Sequence, residues 1–310
     1  MQPHDLIWVG AAIIAAACQT SRSAFQKRLI PDMGQYAAAY TRFIMALPFT
    51  FGLWVLYLVI ESKQPLEISQ TALMYCLLGS FFQVVFTIAL MAAFTKKSFA
   101  TGTAFSKIDV ILAGFIEIFF LGIVFSHLTG LGFILASISV LFLSFAKTSN
   151  NIFKTFHALI SSFVSLGSLY GLLAGIAITL AQVFFRLSML ALEGDVLNKS
   201  LTISVLSLTI QTICFGLYLY VYHREQLFRI TQNLSDCVIV GISGTGATIG
   251  WFVGFALATV AEVKAVGQIE LVFSMLVSLL MFREKIKINE LIGMLLLMVS
   301  IYLVLADKIW

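Results

Sequence analysis

The chain has 310 residues, of which 60% are apolar and 11% charged, with a formal net charge of +4. A soluble domain carries about 25% charge, and a water-facing surface cannot be assembled from so small a supply. Composition excludes a soluble enzyme and makes the bilayer, at about 20 apolar residues per crossing, the measure of length.

Ten apolar segments follow one another, separated by short polar breaks: Leu6–Phe25, Tyr36–Ile60, Ser69–Phe94, Phe99–Ile123, Leu128–Phe145, Ser168–Leu192, Leu201–Tyr222, Cys237–Val260, Glu262–Phe282 and Ile288–Leu305. They are too long and too evenly apolar for a β-barrel. The expected fold is all-α: a polytopic membrane protein of ten transmembrane helices, arranged as two inverted five-helix repeats.

The first segment resembles a signal peptide in its small apolar run. However, His4 and Asp5 precede it without any Lys or Arg, so it reads as the first spanning helix. Gln19, Arg22 and Gln26 share one of its faces by their spacing of three and four. They form either a polar lining for an anionic or zwitterionic solute, or residues snorkelling from the expected helix end. In the second segment Pro48 should kink the helix, while Pro31 and Pro65 fall in breaks. Arg42 lies about two turns into that helix and needs a carboxylate or backbone carbonyls as partner.

The fourth segment carries Lys107, Asp109 and Glu117. Ionisable groups at membrane depth cost roughly 2.5–3.5 kcal/mol each on insertion scales, so they line a wet path, bind something or pair. Asp109 is expected to be neutralised by Lys107, Arg186 or Arg42, or to exchange a proton at a raised pKa. Residues 147–167 form the longest linker, dividing a first repeat (1–146) from a second (168–310). Gln182 and Arg186 on the sixth segment mirror Gln19 and Arg22.

In the eighth segment Gly241 to Thr248 imitates a phosphate loop, but Ala247 stands where the lysine is required. Gly246, Gly250 and Gly254, four apart, read instead as a face for close helix packing. Trp251 with Phe252 and Phe255 offers contact to an apolar solute, or core packing. The ninth segment carries Gln268 and Glu270. Glu262 and Lys264 read as its polar start.

A displacement of 161 residues carries Asp109 onto Glu270, Lys107 onto Gln268, Gly132 onto Gly293 and Ser139 onto Ser300. Five helices per repeat is an odd number, so the two copies must be inverted, an arrangement that places a solute site near the midplane. Loop Lys and Arg concentrate in the odd-numbered loops, with Lys63, Lys199, Lys264 and Lys308 assigned to even loops and the C-terminus. By the positive-inside rule both termini would be external.

Three runs resemble the EamA-like branch of the drug/metabolite transporter superfamily: Tyr40-Thr-Arg42-Phe43, Ala265-Val-Gly-Gln-Ile-Glu270-Leu, and Phe282-Arg-Glu284-Lys followed by Glu290-Leu-Ile-Gly293. Leu121-Gly122 matches the end of that branch's fourth helix, although Ile123 replaces its usual Glu. The resemblance implies ten helices, solute transport and cytoplasmic termini.

The four cysteines lie in or beside apolar stretches without a C-x-x-C pair, and no metal spacing occurs, so no metal or cofactor is expected. The expected function is gradient-driven transport, by alternating access, of small organic solutes such as amino acids, metabolites or drugs. Asp109, Glu270, Lys107, Gln268, Arg186, Gln182, Arg42, Glu117 and Trp251 are the expected solute- or ion-binding residues, with protons as the coupling ion. The expected partners are the solute and the lipid bilayer, with no nucleic acid, in the cell inner or plasma membrane. The alternative is a membrane-embedded enzyme acting on a lipid-linked substrate.

Overall fold

A computed structural model describes residues 6–95, 109–146, 166–282 and 288–309, so Lys107 and most of the 147–167 linker lie outside the described residues. The described residues are helical, without strands. In chain order the helices are α1 (Ile7–Met33), α2 (Gln35–Ile44), α3 (Ala46–Ile60), α4 (Gln70–Thr95), α5 (Asp109–Leu121), α6 (His127–Ala146), α7 (Leu166–Leu190), α8 (Val196–Tyr222), α9 (Arg224–Phe228), α10 (Leu234–Leu257), α11 (Val260–Gly267), α12 (Glu270–Phe282) and α13 (Ile288–Ile309).

Among the described residues, five spans are long and apolar enough to cross a membrane: Gln35–Ile60, Gln70–Ala92, Leu169–Leu190, Val196–Tyr222 and Leu234–Leu257. The shorter apolar helices His127–Val140 and Glu290–Ala306 accompany them. Large apolar side chains cover the outside, among them Phe119, Phe120, Val59, Leu217 and Val221. Such a surface suits lipid and not water. The chain is a multi-pass membrane protein.

Two compact units are present, and each draws on both halves of the sequence. One combines residues 85–180 with 259–310, and the other residues 7–84 with 181–258.

In the first unit α6 and α13 lie antiparallel. A Cβ at Gly132 would come within 2.6 Å of Val304, and one at Gly293 within 2.6 Å of Leu143. The 161-residue displacement exchanges these two contacts, taking Gly132 to Gly293 and Leu143 to Val304. Gly122, at φ +66°, follows α5 in a conformation that favours glycine.

In the second unit α1 and α10 pack antiparallel through glycines. A Cβ at Gly246 would sit 2.8 Å from Cys18 Sγ, and one at Gly250 2.9 Å from the Ala11 carbonyl oxygen. The small-residue face expected in the eighth segment is thus a packing face. Pro48 acts as expected: it cannot donate to the Ile44 carbonyl, and the helix breaks at Met45 between α2 and α3. A Cβ at Gly241 would lie 2.5 Å from the Met45 carbonyl oxygen, a backbone atom that cannot swing aside. Gly241→Ala should therefore cost roughly 1–3 kcal/mol in unfolding experiments in detergent. Gly244→Ala, whose new methyl would meet nothing closer than 3.4 Å, should be near neutral. Equal effects from the two would contradict this packing.

Two expectations at the start of the chain are corrected. The first helix runs to Met33, not Phe25, and Pro31 lies inside its last turn and not in a break. Gly34, at φ +86°, makes the reversal into α2, and Gln226 Oε1 accepts from the Tyr36 and Ala37 amides at that helix start. All four cysteines are free, as the sequence implies.

The loop ends of α3 and α8 are tied by an ion pair. Asp195 caps α8 through the Asn198 amide, and its other oxygen lies 2.8 Å from Lys63 Nζ. The Tyr57 hydroxyl donates to Asp195 and accepts from Lys63, both at 2.8 Å. Burial pushes the Asp195 carboxyl up, but the bonds from Lys63, Asn198 and Tyr57 outweigh it and hold its pKa at about 2, below the ordinary 3.8. The bonds to Asp195 and Tyr57 raise Lys63 above its ordinary 10.5.

A depressed acid stabilises fully above its ordinary pKa and loses that contribution as pH falls through the folded value. A raised base stabilises fully below its ordinary pKa and loses it on the alkaline side. The difference in melting temperature between the protein and Asp195→Asn should hold constant from pH 5 to 9 and shrink below about pH 4. A difference that persists at pH 2 would contradict the tie.

Candidate functional site

The first unit encloses a buried acidic centre where α5 meets α11. Asp109 opens the described part of α5, and its carboxylate lies 3.0 Å from Lys264 Nζ, with both side chains over nine-tenths buried. The Gln268 amide donates to the other Asp109 oxygen at 3.4 Å. Gln268 is 1% exposed, and its Oε1 has no hydrogen-bond partner among the described residues. Glu270 and Glu290, each in the first turn of its helix, are also buried.

This placement depends on how the ninth segment starts and where it turns. Helix α10 ends at Leu257, and Thr259 begins α11 with a capping box. Thr259 Oγ1 accepts from the Glu262 amide at 3.3 Å, and Glu262 Oε2 accepts from the Thr259 amide at 3.2 Å. The two amides between them are served from α5: Glu117 accepts from Val260 at 2.7 Å and from Ala261 at 3.1 Å. All four orphan donors of the helix start are therefore satisfied. The Glu117 charge also faces the positive end of α11.

After Gly267 the backbone tightens. The Ile269, Leu271 and Val272 amides bond three residues back, to Val266, Gln268 and Ile269, before four-residue spacing resumes at Phe273. The ninth segment is thus two helices with a turn at Gln268 and Ile269, and the acidic centre sits at that turn. A charge beside a helix interruption is a recurring way of presenting ions in transporters.

Two sequence expectations are corrected here. Lys264 is not in a loop, because α11 starts two residues before the expected bound and carries Lys264 inward. Asp109 is paired with Lys264, which was not among its expected partners: Arg186 and Arg42 belong to the other compact unit, and Lys107 lies outside the described residues. Glu262, by contrast, is the polar start it was expected to be, although buried. Glu290, also buried, was not singled out.

The other expected residues gather in the second unit. Arg186 on α7 donates through Nη1 to the Phe255 carbonyl at 2.7 Å and also to the Ala258 carbonyl. Both oxygens close the C-terminus of α10, where a cation suits the helix dipole. Gln182, one turn earlier, is buried, and its Oε1 has no partner among the described residues. The Trp251 indole donates to Gln19 Oε1 at 2.9 Å, and Arg22 donates to the same oxygen at 3.3 Å. Trp251 stacks on Phe255, and Phe252 packs against Phe185, so these rings are core of that unit. Arg42 lies half-buried on the last turn of α2, just before the break at Met45, its guanidinium 4.5 Å from the Phe43 ring.

The model of the EamA-like transporter family matches residues 165–306. That stretch is similar to the EamA-like transporter family. That family lies within the drug/metabolite transporter superfamily, whose members are membrane transporters of small solutes. The match runs from α7 into α13 and so includes Arg186, Trp251, Lys264, Gln268 and Glu270. No curated protein matches the chain. Among solved structures, one crystal structure aligns over 98% of this chain and 98% of its own at 12% identity, with a TM-score of 0.68. That likeness concerns the fold alone.

Proposed function

We propose that this protein is a gradient-driven secondary transporter that exports small organic solutes (amino acids, metabolites or drugs) by alternating access, with protons as the coupling ion. Its place would be the cell inner or plasma membrane. The observation that carries the reading is the buried Asp109–Lys264–Gln268 centre at the turn between α11 and α12. A carboxylate and an ammonium in that setting are stable only as a pair. A proton on Asp109 removes the attraction that holds Lys264, so protonation and rearrangement of α11 become linked.

The exchanged glycine contacts of α6 and α13 support two inverted five-helix repeats, 1–146 and 168–310. Glu270, the equivalent of Asp109 by displacement, is the second acid of the coupling pathway, and Lys107 with Gln268 is the corresponding polar pair.

The reading is tested in proteoliposomes of purified protein by a counterflow screen of amino acids, nucleosides, quaternary amines, sugars and organic acids. Saturable, gradient-driven exchange of at least one class is expected. Chemical conversion of a lipid-linked substrate without flux would favour the enzyme alternative instead.

A further inference from the structure

We propose that the outer face of α8, where it runs into α9, binds an anionic phospholipid, with the phosphate on Arg224 and an acyl chain along Ile213, Leu217 and Tyr220. The site is separate from the acidic centre and stands whether or not the protein transports a solute.

Spacings of four, three and four put Ile213, Leu217, Tyr220 and Arg224 on one stripe. The first three are each more than half exposed, and Arg224 is exposed as well. The apolar span of α8 runs from Val196 to Tyr222, so the stripe leaves the hydrocarbon between Tyr220 and Arg224. From Ile213 to Tyr220 it covers about 10 Å at 1.5 Å per residue, enough for the upper part of an acyl chain. Tyrosine at that level is suited to the headgroup region.

Arg224 differs from an ordinary solvated helix end in how it is held. Its guanidinium carbon lies 5.1 Å from the centre of the Tyr220 ring, on the last turn of α8, and 5.6 Å from that of Phe228, on α9. The two rings stand on either side of the break at His223, and both attract the cation. A ring accepts no ordinary hydrogen bond, so the guanidinium donors are left for oxygens, and the two oxygens of a phosphate suit their fork. Among the described residues the Arg224 side chain has no ion pair or hydrogen bond. Glu225 faces another side of α9, since adjacent residues do not share a helix face.

The segment that carries Arg224 is fixed from its inner side. Gln226 Oε1 accepts from the Tyr36 and Ala37 amides, and Ile230 is buried. Its outer side shows Arg224, Phe228 and Arg229. Two arginines against the single acid Glu225 leave residues 224–232 positive, which favours an anionic headgroup. A phosphatidylcholine would bring its own trimethylammonium beside these arginines. The apolar stripe leading up to Arg224 makes a lipid, and not free phosphate, the source of the anion.

The test titrates the full chain, in a neutral maltoside detergent at constant ionic strength, with phosphatidylglycerol or with phosphatidylcholine of the same acyl chains. Native mass spectrometry counts lipid-bound and lipid-free protein. Phosphatidylglycerol is expected to bind more tightly, and Arg224→Gln should cut its affinity roughly fivefold, the effect of one arginine at a membrane surface. Tyr220→Leu and Phe228→Leu leave the charge unaltered and should weaken binding too, because Arg224 loses a ring that holds it; they serve if Arg224→Gln does not fold. In a further arm, soluble glycerol 3-phosphate should fail to displace the bound lipid. The proposal is overturned if phosphatidylcholine binds as tightly, if the preference survives Arg224→Gln, if both ring variants bind as the unaltered protein does, or if glycerol 3-phosphate displaces the lipid.

Discussion

Lys264→Met is expected to be among the most destabilising single substitutions in the chain, costing about 3–5 kcal/mol near neutral pH. It leaves the Asp109 carboxylate, 2% exposed, without the ammonium now 3.0 Å away. Unfolding of purified protein in detergent should show the loss. Adding Asp109→Asn to Lys264→Met should restore most of the stability, since a neutral amide beside a thioether leaves no buried charge. A double variant as unstable as the single one would mean that the pair is not what holds α5 to α11.

Glu117→Ala should cost a similar amount, about 3–5 kcal/mol, by a different route. It strips the acceptors from the Val260 and Ala261 amides, and a buried unsatisfied donor costs about 1–3 kcal/mol, more where the lost partner was charged. Glu117→Gln keeps one acceptor and should lose roughly half as much. Because these amides start α11, the effect should extend to the helix carrying Lys264. Proteolysis or hydrogen exchange should find α11 opening before the rest of the first unit. Protection of α11 unchanged in Glu117→Ala would contradict the anchoring role.

The sequence carried much of this arrangement and hid the rest for identifiable reasons. Pro48 announced the break of the second helix because a missing amide and a ring clash act locally. The displacement of 161 residues paired Gly132 with Gly293, and the structure puts both in the contact of α6 with α13. Lys264 was misread as a loop residue because a run of Glu and Lys at the edge of an apolar segment resembles a polar break. The correcting signal was present: Thr259-Val-Ala-Glu262 has the spacing of a capping box and places the helix start at Val260, which carries Lys264 inward. The partners of Arg186 and Glu117 had no such signal. Both side chains serve the ends of helices far away in the chain, and only tertiary packing brings those ends to them.

Arg22 shows the cost of a misplaced boundary in the opposite sense. A first helix ending at Phe25 set it near the interface, whereas α1 continues to Met33 and packs Arg22 against the middle of α10. The acidic centre of the first unit stands beside an interrupted helix, α11–α12.

The most direct test of proton coupling at Asp109 is the pH dependence of flux in the Asp109→Asn, Lys264→Met double variant, reconstituted beside the unaltered protein with whichever solute the counterflow screen identifies. Coupling through this pair predicts a folded variant that still exchanges solute but has lost the stimulation of net flux by a pH gradient. A double variant whose flux follows the proton gradient as the unaltered protein does would show that the coupling acid lies elsewhere.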